Sequence, residues 1–345
     1  MNIQTKVSLP AEWSSQDGIL LCWPHHSMDW QPILLEVEKA FDEIACYICL
    51  DQTLVIIAHN DEHQQQILAR LTQINANTDN IKWLIHNNND TWCRDFGPIT
   101  VVRDQRTVAL DFRFNGWGDK FDAENDNLSN QQLAKDKLLK CELESIDIVL
   151  EGGSIDSDGE GTLLTTTQCL LSDKRNPALN KQDIENELSA RLGTKRIFWL
   201  EHGHLEGDDT DSHVDNLARF CNPNTIAYAC CDENDEHYPS LHAMQLELEQ
   251  LRTSAGEPYN LIPLKIPQAS YNDGERLPTS YVNFLITNQY ILMPTYNDAE
   301  DAINLAKLQA VFSDRKVIGI DCSDIIKQSG SIHCLTMQLP RHTLY

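Results

Sequence analysis

Positive charge is scarce in this chain. Its 345 residues carry 27 lysines and arginines against 52 aspartates and glutamates, a formal net charge of −25. Such acidity serves plain solubility, and it also repels nucleic acid and anionic membranes while attracting small cations. Long apolar runs are missing as well. No window holds eighteen or more apolar residues, so no segment is expected to span a membrane. The opening "MNIQTKVSLPAEWSSQDGILLCW" lacks a basic region followed by an apolar run, which argues against a signal peptide. The 11 cysteines are odd in number and scattered, unlike a disulfide framework, so a reducing, cytoplasmic compartment is expected. The one C-x-x-C, Cys46 to Cys49, falls in a helix-like stretch with no second pair to match it. It and Cys230–Cys231 are weak grounds for a zinc or redox site.

What remains is a chain that is 41% hydrophobic, enough for a sizeable core. Short apolar runs such as "GILLCWP", "TLVIIAH", "TVALDF" and "KVIGIDC" read as strands. Between them, amphipathic stretches predict helices over 31–49, 61–73, 128–140, 181–192, 238–250 and 298–310. The order repeats: two strands joined by a tight turn, a helix, then a third strand. Residues 99–152, 154–202, 216–266 and 281–322 each fit this ββαβ pattern. A fifth copy forms if a C-terminal strand around 331–338 pairs beside "GILLCWP", followed by helix 31–49 and "TLVIIAH". Repetition around an axis limits exposed sheet edges. The expectation is therefore an α/β fold, a five-bladed pseudo-symmetric α/β propeller, with residues 1–345 forming a single catalytic domain. A doubly wound open sheet is the alternative, but paired strands in each unit argue against a purely parallel sheet.

Charged clusters interrupt the apolar runs where a rigid scaffold usually carries its site. "NNNDTWCRDFGPITV" holds Asp90, Arg94 and Asp95; "IVLEGGSID" holds Glu151; "EGDDTDSHVDNLARF" holds Asp208, Asp209, Asp211, His213 and Asp215; "SIHCLTM" holds His333 and Cys334. A thiolate is the reactive form of cysteine, histidine moves protons near neutral pH, and carboxylates grip a planar guanidinium fork. Attack on a guanidinium carbon needs all three, because its charge is delocalised and its leaving amine must be protonated. In a strand, His213 and Asp215 would share one face. Taken singly, each residue has a structural reading at least as strong: Asp95 a partner of Arg94, Glu151 part of a Gly152–Gly153 turn, and Cys334 a small buried hydrophobe.

A hydrolase zinc site is the competing chemistry. His202 and His204 form an H-x-H pair that could join His213, Asp215 and His333, and His25–His26 adds candidates. No H-E-x-x-H supports it, and metal is the weaker reading.

Together, "NDTWCRDFGP", "FNGWG", "LEGGSIDSDGEGTLLTTTQCLL", Asn176–Pro177, "GDDTDSHVDN", "SYVNF" and "GSIHCLTMQ" resemble the agmatine deiminases, in order from Trp23 to Gln338. These belong to the guanidine-modifying (pentein) superfamily, with the bacterial peptidylarginine deiminases. The resemblance implies the five-bladed pentein fold, with Cys334 as nucleophile, His213 as acid/base, and Glu151 orienting that histidine. It further implies that Asp95 and Asp215 grip the guanidinium, and that Trp92, Asn115 and Trp117 line the pocket. It implies agmatine hydrolysis to N-carbamoylputrescine and ammonia, a step toward putrescine and the polyamines. The route runs through a covalent thiouronium, with no metal and no organic cofactor. It also implies a small cationic substrate as partner and a possible homodimer. A deiminase for free or peptidyl arginine is the alternative. Its carboxylate partner would come from Arg94, Arg103, Arg113, Arg219 or Arg276. A metal-dependent hydrolase and a non-catalytic polyamine binder stand further off.

Overall fold

The computed structural model describes residues 6–345. It is a mixed α/β molecule whose strands fall into five main sheets and one two-stranded hairpin. The first sheet pairs Ile99–Arg103 antiparallel with Arg106–Arg113, which runs parallel to Glu142–Val149. The second repeats this with Ile155–Ser157, Thr162–Thr166 and Arg196–Leu200. The third uses Ala218–Asn222, Thr225–Cys230 and Asn260–Lys265. The fourth uses Leu285–Ile286, Tyr290–Thr295 and Lys316–Asp321. In the fifth, Thr336–Pro340 from the C-terminal end lies antiparallel to Gln16–Cys22, which runs parallel to Thr53–Ala58. Two sheets exceed the pattern: Val7–Ser8 is added to the first and Ile81–Ile85 to the fifth.

One antiparallel pair and one parallel crossover therefore recur in each of the five main sheets. A parallel pair needs a long connection, and a helix supplies it. The crossover helices are Ser129–Lys135, Lys181–Leu192, Tyr238–Gln250, Glu300–Val311 and Leu34–Asp51, with Asp61–Gln73 serving the extra strand. Helix Lys181–Leu192 shows how the sequence sets its bounds. Asn180 and Asp183 form a reciprocal capping box, and Gly193 ends the helix in the left-handed conformation. The helix expected over 128–140 is shorter, because Lys137 takes a positive φ of 56° and breaks the repeat.

Apolar side chains fill two clusters. One gathers Ile19, Phe41, Ile56, Leu110, Leu163 and Leu339; the other gathers Phe220, Ile226, Met244, Leu264, Phe284 and Met293. The fourth sheet feeds both, Leu292 facing one and Ile291 the other, because successive strand residues point to opposite faces. The interior also holds buried charge: Glu12, Arg94, Asp95, Glu151, Asp156, Arg175, His213, Asp215, Arg219 and His333. Among the described residues no helix is long and apolar enough to cross a membrane.

Candidate active site

Asp95, Glu151, His213, Asp215 and Cys334 share one place in the repeat. Just before its first strand, each sheet has a short turn carrying polar side chains. Asp95 lies in the one-turn helix Cys93–Phe96 before Ile99–Arg103. Glu151 caps the turn Gly152–Ser154 before Ile155–Ser157. His213 and Asp215 belong to the turn Val214–Asn216 before Ala218–Asn222. Cys334 lies in Ile332–Leu335 before Thr336–Pro340. The spacing of His213 and Asp215 was expected to put them on one face of a strand. They occupy a 3-10 turn instead, and the strand starts only at Ala218.

Cys334, Asp95 and Asp215 meet at one centre. Cys334 Sγ is 3.6 Å from Asp215 Oδ2. Asp215 Oδ2 also lies 2.7 Å from His333 Nδ1, and its Oδ1 is buried without a protein partner. Asp95 is held at both oxygens: Trp117 Nε1 donates to Oδ2 at 2.9 Å and the Gly153 N–H to Oδ1 at 2.9 Å. His213 Nδ1 lies 3.6 Å from Asp95 Oδ1, and neither of its ring nitrogens has a hydrogen-bond partner. Residue 153 must be glycine here. A Cβ would sit 2.7 Å from His213 Nδ1 and 2.8 Å from Asp95 Oδ1.

Glu151 stands behind His213. Its Oε1 accepts from Arg175 Nε at 2.8 Å, and its Oε2 is buried and unpartnered. Arg175 is fully buried and also donates to Asp211 Oδ2 at 2.6 Å and to the Thr210 carbonyl at 2.8 Å. One ligand atom each from Glu151, Cys169 and His213 lies within 4.8 Å of the others, the one cluster among the described residues with spacing to hold a metal ion. The H-x-H pair and His25–His26, weighed for zinc, do not join His213 and His333. His202 pairs with Glu247 and His204 approaches Glu206, both at the surface. His25 stacks on His59 with ring centroids 4.2 Å apart.

Electrostatics separate the roles. Burial pushes the Cys334 thiol well above its ordinary value, and the nearby Asp215 and Asp95 carboxylates push it further. His213 rises well above its ordinary value: burial opposes the shift, but Asp95, Cys169 and Glu151 favour the imidazolium. Burial raises Asp95 to about 6, with the charge of His213 holding it back. Asp215 moves the other way. Burial would raise it, but the hydrogen bond and charge of His333 lower it.

Above Cys334 opens a cavity lined by Trp92, Asp95, Trp117, Phe121 and a rim of Asp29, Asp90 and Asp209. Burial raises Asp90 and Asp209 to about 6 each. Lys327 is the one cation in that lining among the described residues, and it is paired with Asp324 at 2.6 Å. Trp92 and Trp117 both line this cavity. Asn115 does not join this lining. It braces the neighbouring turn, accepting from the Gly118 N–H at 3.1 Å and donating to the Lys174 carbonyl at 2.9 Å. The five arginines considered as carboxylate partners are engaged elsewhere. Arg94 and Arg219 are buried against Glu12, Arg103 pairs with Glu144, Arg113 with Asp147, and Arg276 with Asp235 and Glu236.

Sequence reasoning missed three residues. Glu12 Oε2 accepts from Arg219 at 2.6 Å and lies 2.8 Å from His333 Nε2, so it fixes the far side of that ring. Asn283 contacts Cys334 directly, its Nδ2 3.0 Å from Sγ. Cys169 belongs to the cluster behind His213. Asn283 had a readable signal. The other four sheets carry a charged or nucleophilic residue just before their first strand, and "SYVNF" offers Asn283 at that place in the fourth.

A buried cysteine flanked by two carboxylates and an unpartnered imidazole, under an acidic and aromatic cavity, defines a class: a cysteine-centred site shaped for a planar cation. Known proteins agree. The sequence profile of the Porphyromonas-type peptidyl-arginine deiminase family matches residues 8–340, and the chain belongs to that family. A relative in Lactococcus lactis named "Putative agmatine deiminase" is 34% identical over 96% of this chain and 95% of its own. The crystal structure of a "Putative Arginine Deiminase" from Porphyromonas gingivalis is 42% identical with a TM-score of 0.94, covering 99% of this chain and 100% of that one. A C. jejuni agmatine deiminase, a cysteine-to-serine variant with substrate bound, is 38% identical with a TM-score of 0.92, covering 100% of this chain and 99% of that one.

Proposed function

We propose that this protein is an agmatine deiminase that hydrolyses agmatine to N-carbamoylputrescine and ammonia. The observation that carries the reading is the position of Cys334 between Asp95 and Asp215 at the floor of a cavity with an acidic rim. A guanidinium entering there meets two carboxylates that offer it bidentate hydrogen bonds, one through the free Oδ1 of Asp215. Its flat face rests against Trp92 and Trp117, where cation–π attraction adds to the grip. The chain's aliphatic tail and second cation point toward Asp29, Asp90 and Asp209. These carboxylates suit an ammonium and repel the carboxylate of arginine. Lys327 is the feature that would favour arginine, and its pairing with Asp324 weakens that reading.

In the empty site the thiol is protonated and His213 is charged. The arriving guanidinium offsets Asp95 and Asp215, and Cys334 loses its proton to solvent. The thiolate attacks the guanidinium carbon. His213 gives its proton to one amino group, the C–N bond breaks, and ammonia leaves a thiouronium on sulfur. The now neutral His213 takes a proton from water as that water attacks the same carbon. The hydroxyl of this adduct gives its proton to solvent as collapse breaks the C–S bond and releases the neutral ureido product and the thiolate. Glu151 stabilises the charged imidazole by its position rather than through a direct hydrogen bond.

On this reading the five sheets surround one axis as a five-bladed propeller, and residues 1–345 act as one catalytic domain. The enzyme works without a cofactor, as a cytoplasmic homodimer that binds no nucleic acid. The test is incubation with agmatine, arginine and an arginyl peptide in turn, following ammonia and ureido product, with Cys334→Ala as control. Turnover of agmatine alone, lost in the variant, supports the reading. Turnover only of arginine or the peptide replaces the substrate. Turnover that survives Cys334→Ala overturns the mechanism.

A further inference from the structure

Asn283 is fully buried and spends both ends of its amide on the nucleophile's turn. Its Oδ1 accepts from the His333 N–H at 3.0 Å and from the Cys334 N–H at 3.2 Å. Its Nδ2 donates to Asn216 Oδ1 at 3.0 Å and lies 3.0 Å from Cys334 Sγ. The orientation of this amide is fixed. Two backbone N–H groups can only donate, so the oxygen must face them and the NH2 must face sulfur. An amide N–H cannot accept, so sulfur is the acceptor in this contact. That role suits a thiolate far better than a thiol, since hydrogen bonds to a charged acceptor are the stronger ones.

A backbone hydrogen bond at Ser331 also favours the thiolate, while the two nearby carboxylates act against ionisation. Asp215 Oδ2 lies 3.6 Å away, and Asp95 faces the same centre. Among the described residues, the side chains in hydrogen-bond contact with Sγ are Asn283 and Asp215, neither of them a cation. Among the described residues, Asn283 is thus the one side chain hydrogen-bonded to the sulfur that favours its charged form.

We propose that Asn283 is a catalytic residue that stabilises the Cys334 thiolate, both before attack and when the thiouronium collapses and sulfur leaves. This rests on Cys334 being the nucleophile. The residue's place in the fold supports it, since it stands before the first strand of the fourth sheet as Asp95, Glu151, Asp215 and Cys334 do in theirs.

The experiment measures alkylation of Cys334 by iodoacetamide against pH, without substrate, with labelling located by mass spectrometry. Asn283→Asp keeps an oxygen for the two backbone N–H groups, removes the donor to sulfur and adds a carboxylate beside it, so the wild-type 15N titration separates the hydrogen bond from the added charge. Below the thiol's ionisation the rate follows the thiolate fraction, so Asn283→Asp should label about tenfold more slowly, as expected for loss of a hydrogen bond to a charged group. Its kcat/KM should fall by a similar factor and recover at higher pH. An unchanged alkylation profile in the folded variant overturns the proposal. Should Asn283→Asp not fold, wild-type protein decides. The side-chain 15NH2 signal of Asn283 should shift as the thiol titrates, and should not shift in Cys334→Ala. A signal that ignores the titration overturns the proposal as well. Undiminished turnover by Cys334→Ala would instead refute the nucleophile reading, so the two failures are told apart.

Discussion

His333 holds Asp215 by one oxygen only: Nδ1 lies 2.7 Å from Oδ2, while Oδ1 stays buried with no protein partner. The carboxylate is anchored on one side and vacant on the other, as a clamp for a planar cation would be. His333→Ala should leave Asp215 free to rotate and raise KM for agmatine about tenfold or more, with a smaller change in kcat. Steady-state kinetics check this; an unchanged KM would show that the ring does not position the clamp.

Asp95→Asn removes charge from the second clamp but keeps its shape. The amide oxygen keeps either the Trp117 or the Gly153 donor, and the NH2 faces the other. Turnover should fall by at least about a hundredfold, the scale of losing a group matched to transition-state charge. The melting temperature should change little, because the lost acceptor is offset by relief of a carboxylate that burial already disfavours and lifts to about 6. Wild-type activity in this variant would remove Asp95 from the mechanism.

Stability and activity should respond to pH in opposite directions. Burial raises Asp90, Asp95 and Asp209 to about 6, and Asp126 and Asp156 to about 7. Between ordinary carboxylate values and these, the folded protein binds more protons than the unfolded chain, so stability declines as pH rises through this window. The melting temperature should therefore be higher near pH 6 than near pH 8, by roughly 2–4 °C per kcal/mol of difference. Activity should fall over the same descent as Asp95 is neutralised. Calorimetry and a kcat/KM profile at constant ionic strength test both halves.

Glu12 is the anchor on the far side of the site. Its Oε1 accepts from the Ile286 N–H at 2.7 Å, and its Oε2 serves Arg219 and His333. Glu12→Ala leaves the buried Arg219 short of its main counter-charge and should cost about 3–5 kcal/mol, the range for breaking one side of a buried pair. Chemical denaturation measures it. A loss below about 1 kcal/mol would mean that Asp156, 3.6 Å from Arg219 Nε, takes over.

Chelators should leave activity unchanged, while added zinc should inhibit through Glu151, Cys169 and His213, whose ligand atoms share a 4.8 Å envelope. Cys169→Ala should weaken that inhibition. Equal zinc sensitivity in the variant would place the ion on Cys334 instead.

Much of this was legible in the sequence because the repeat leaves a strong trace. Helices 61–73, 181–192 and 238–250 have the bounds their periodicity predicts, and all five strand groupings match the sheets. Local features failed where long-range contacts rule. The turn at His213 reads as strand because Val214 and Leu217 are apolar, yet the chain must bend there for both side chains to face the centre. Glu12 was invisible. It lies 321 residues from its partner His333, and nothing near it marks a buried acid. Asn115 reads as pocket lining because it sits beside Trp117, but its side chain secures the left-handed turn that aims the tryptophan.

The pairing of Thr336–Pro340 with Gln16–Cys22 has a consequence for synthesis. Cys334 enters the centre on the turn that leads into this strand. Four sheets draw their strands from residues 7–321, whereas the fifth stays open until residues 336–340 have left the ribosome. Asp95, His213 and Asp215 are all made long before the thiol arrives. A nascent chain stopped short of residue 333 therefore lacks both the nucleophile and the His333 ring that anchors Asp215, and turnover itself reports that the strand at 336–340 has met the strand at 16–22.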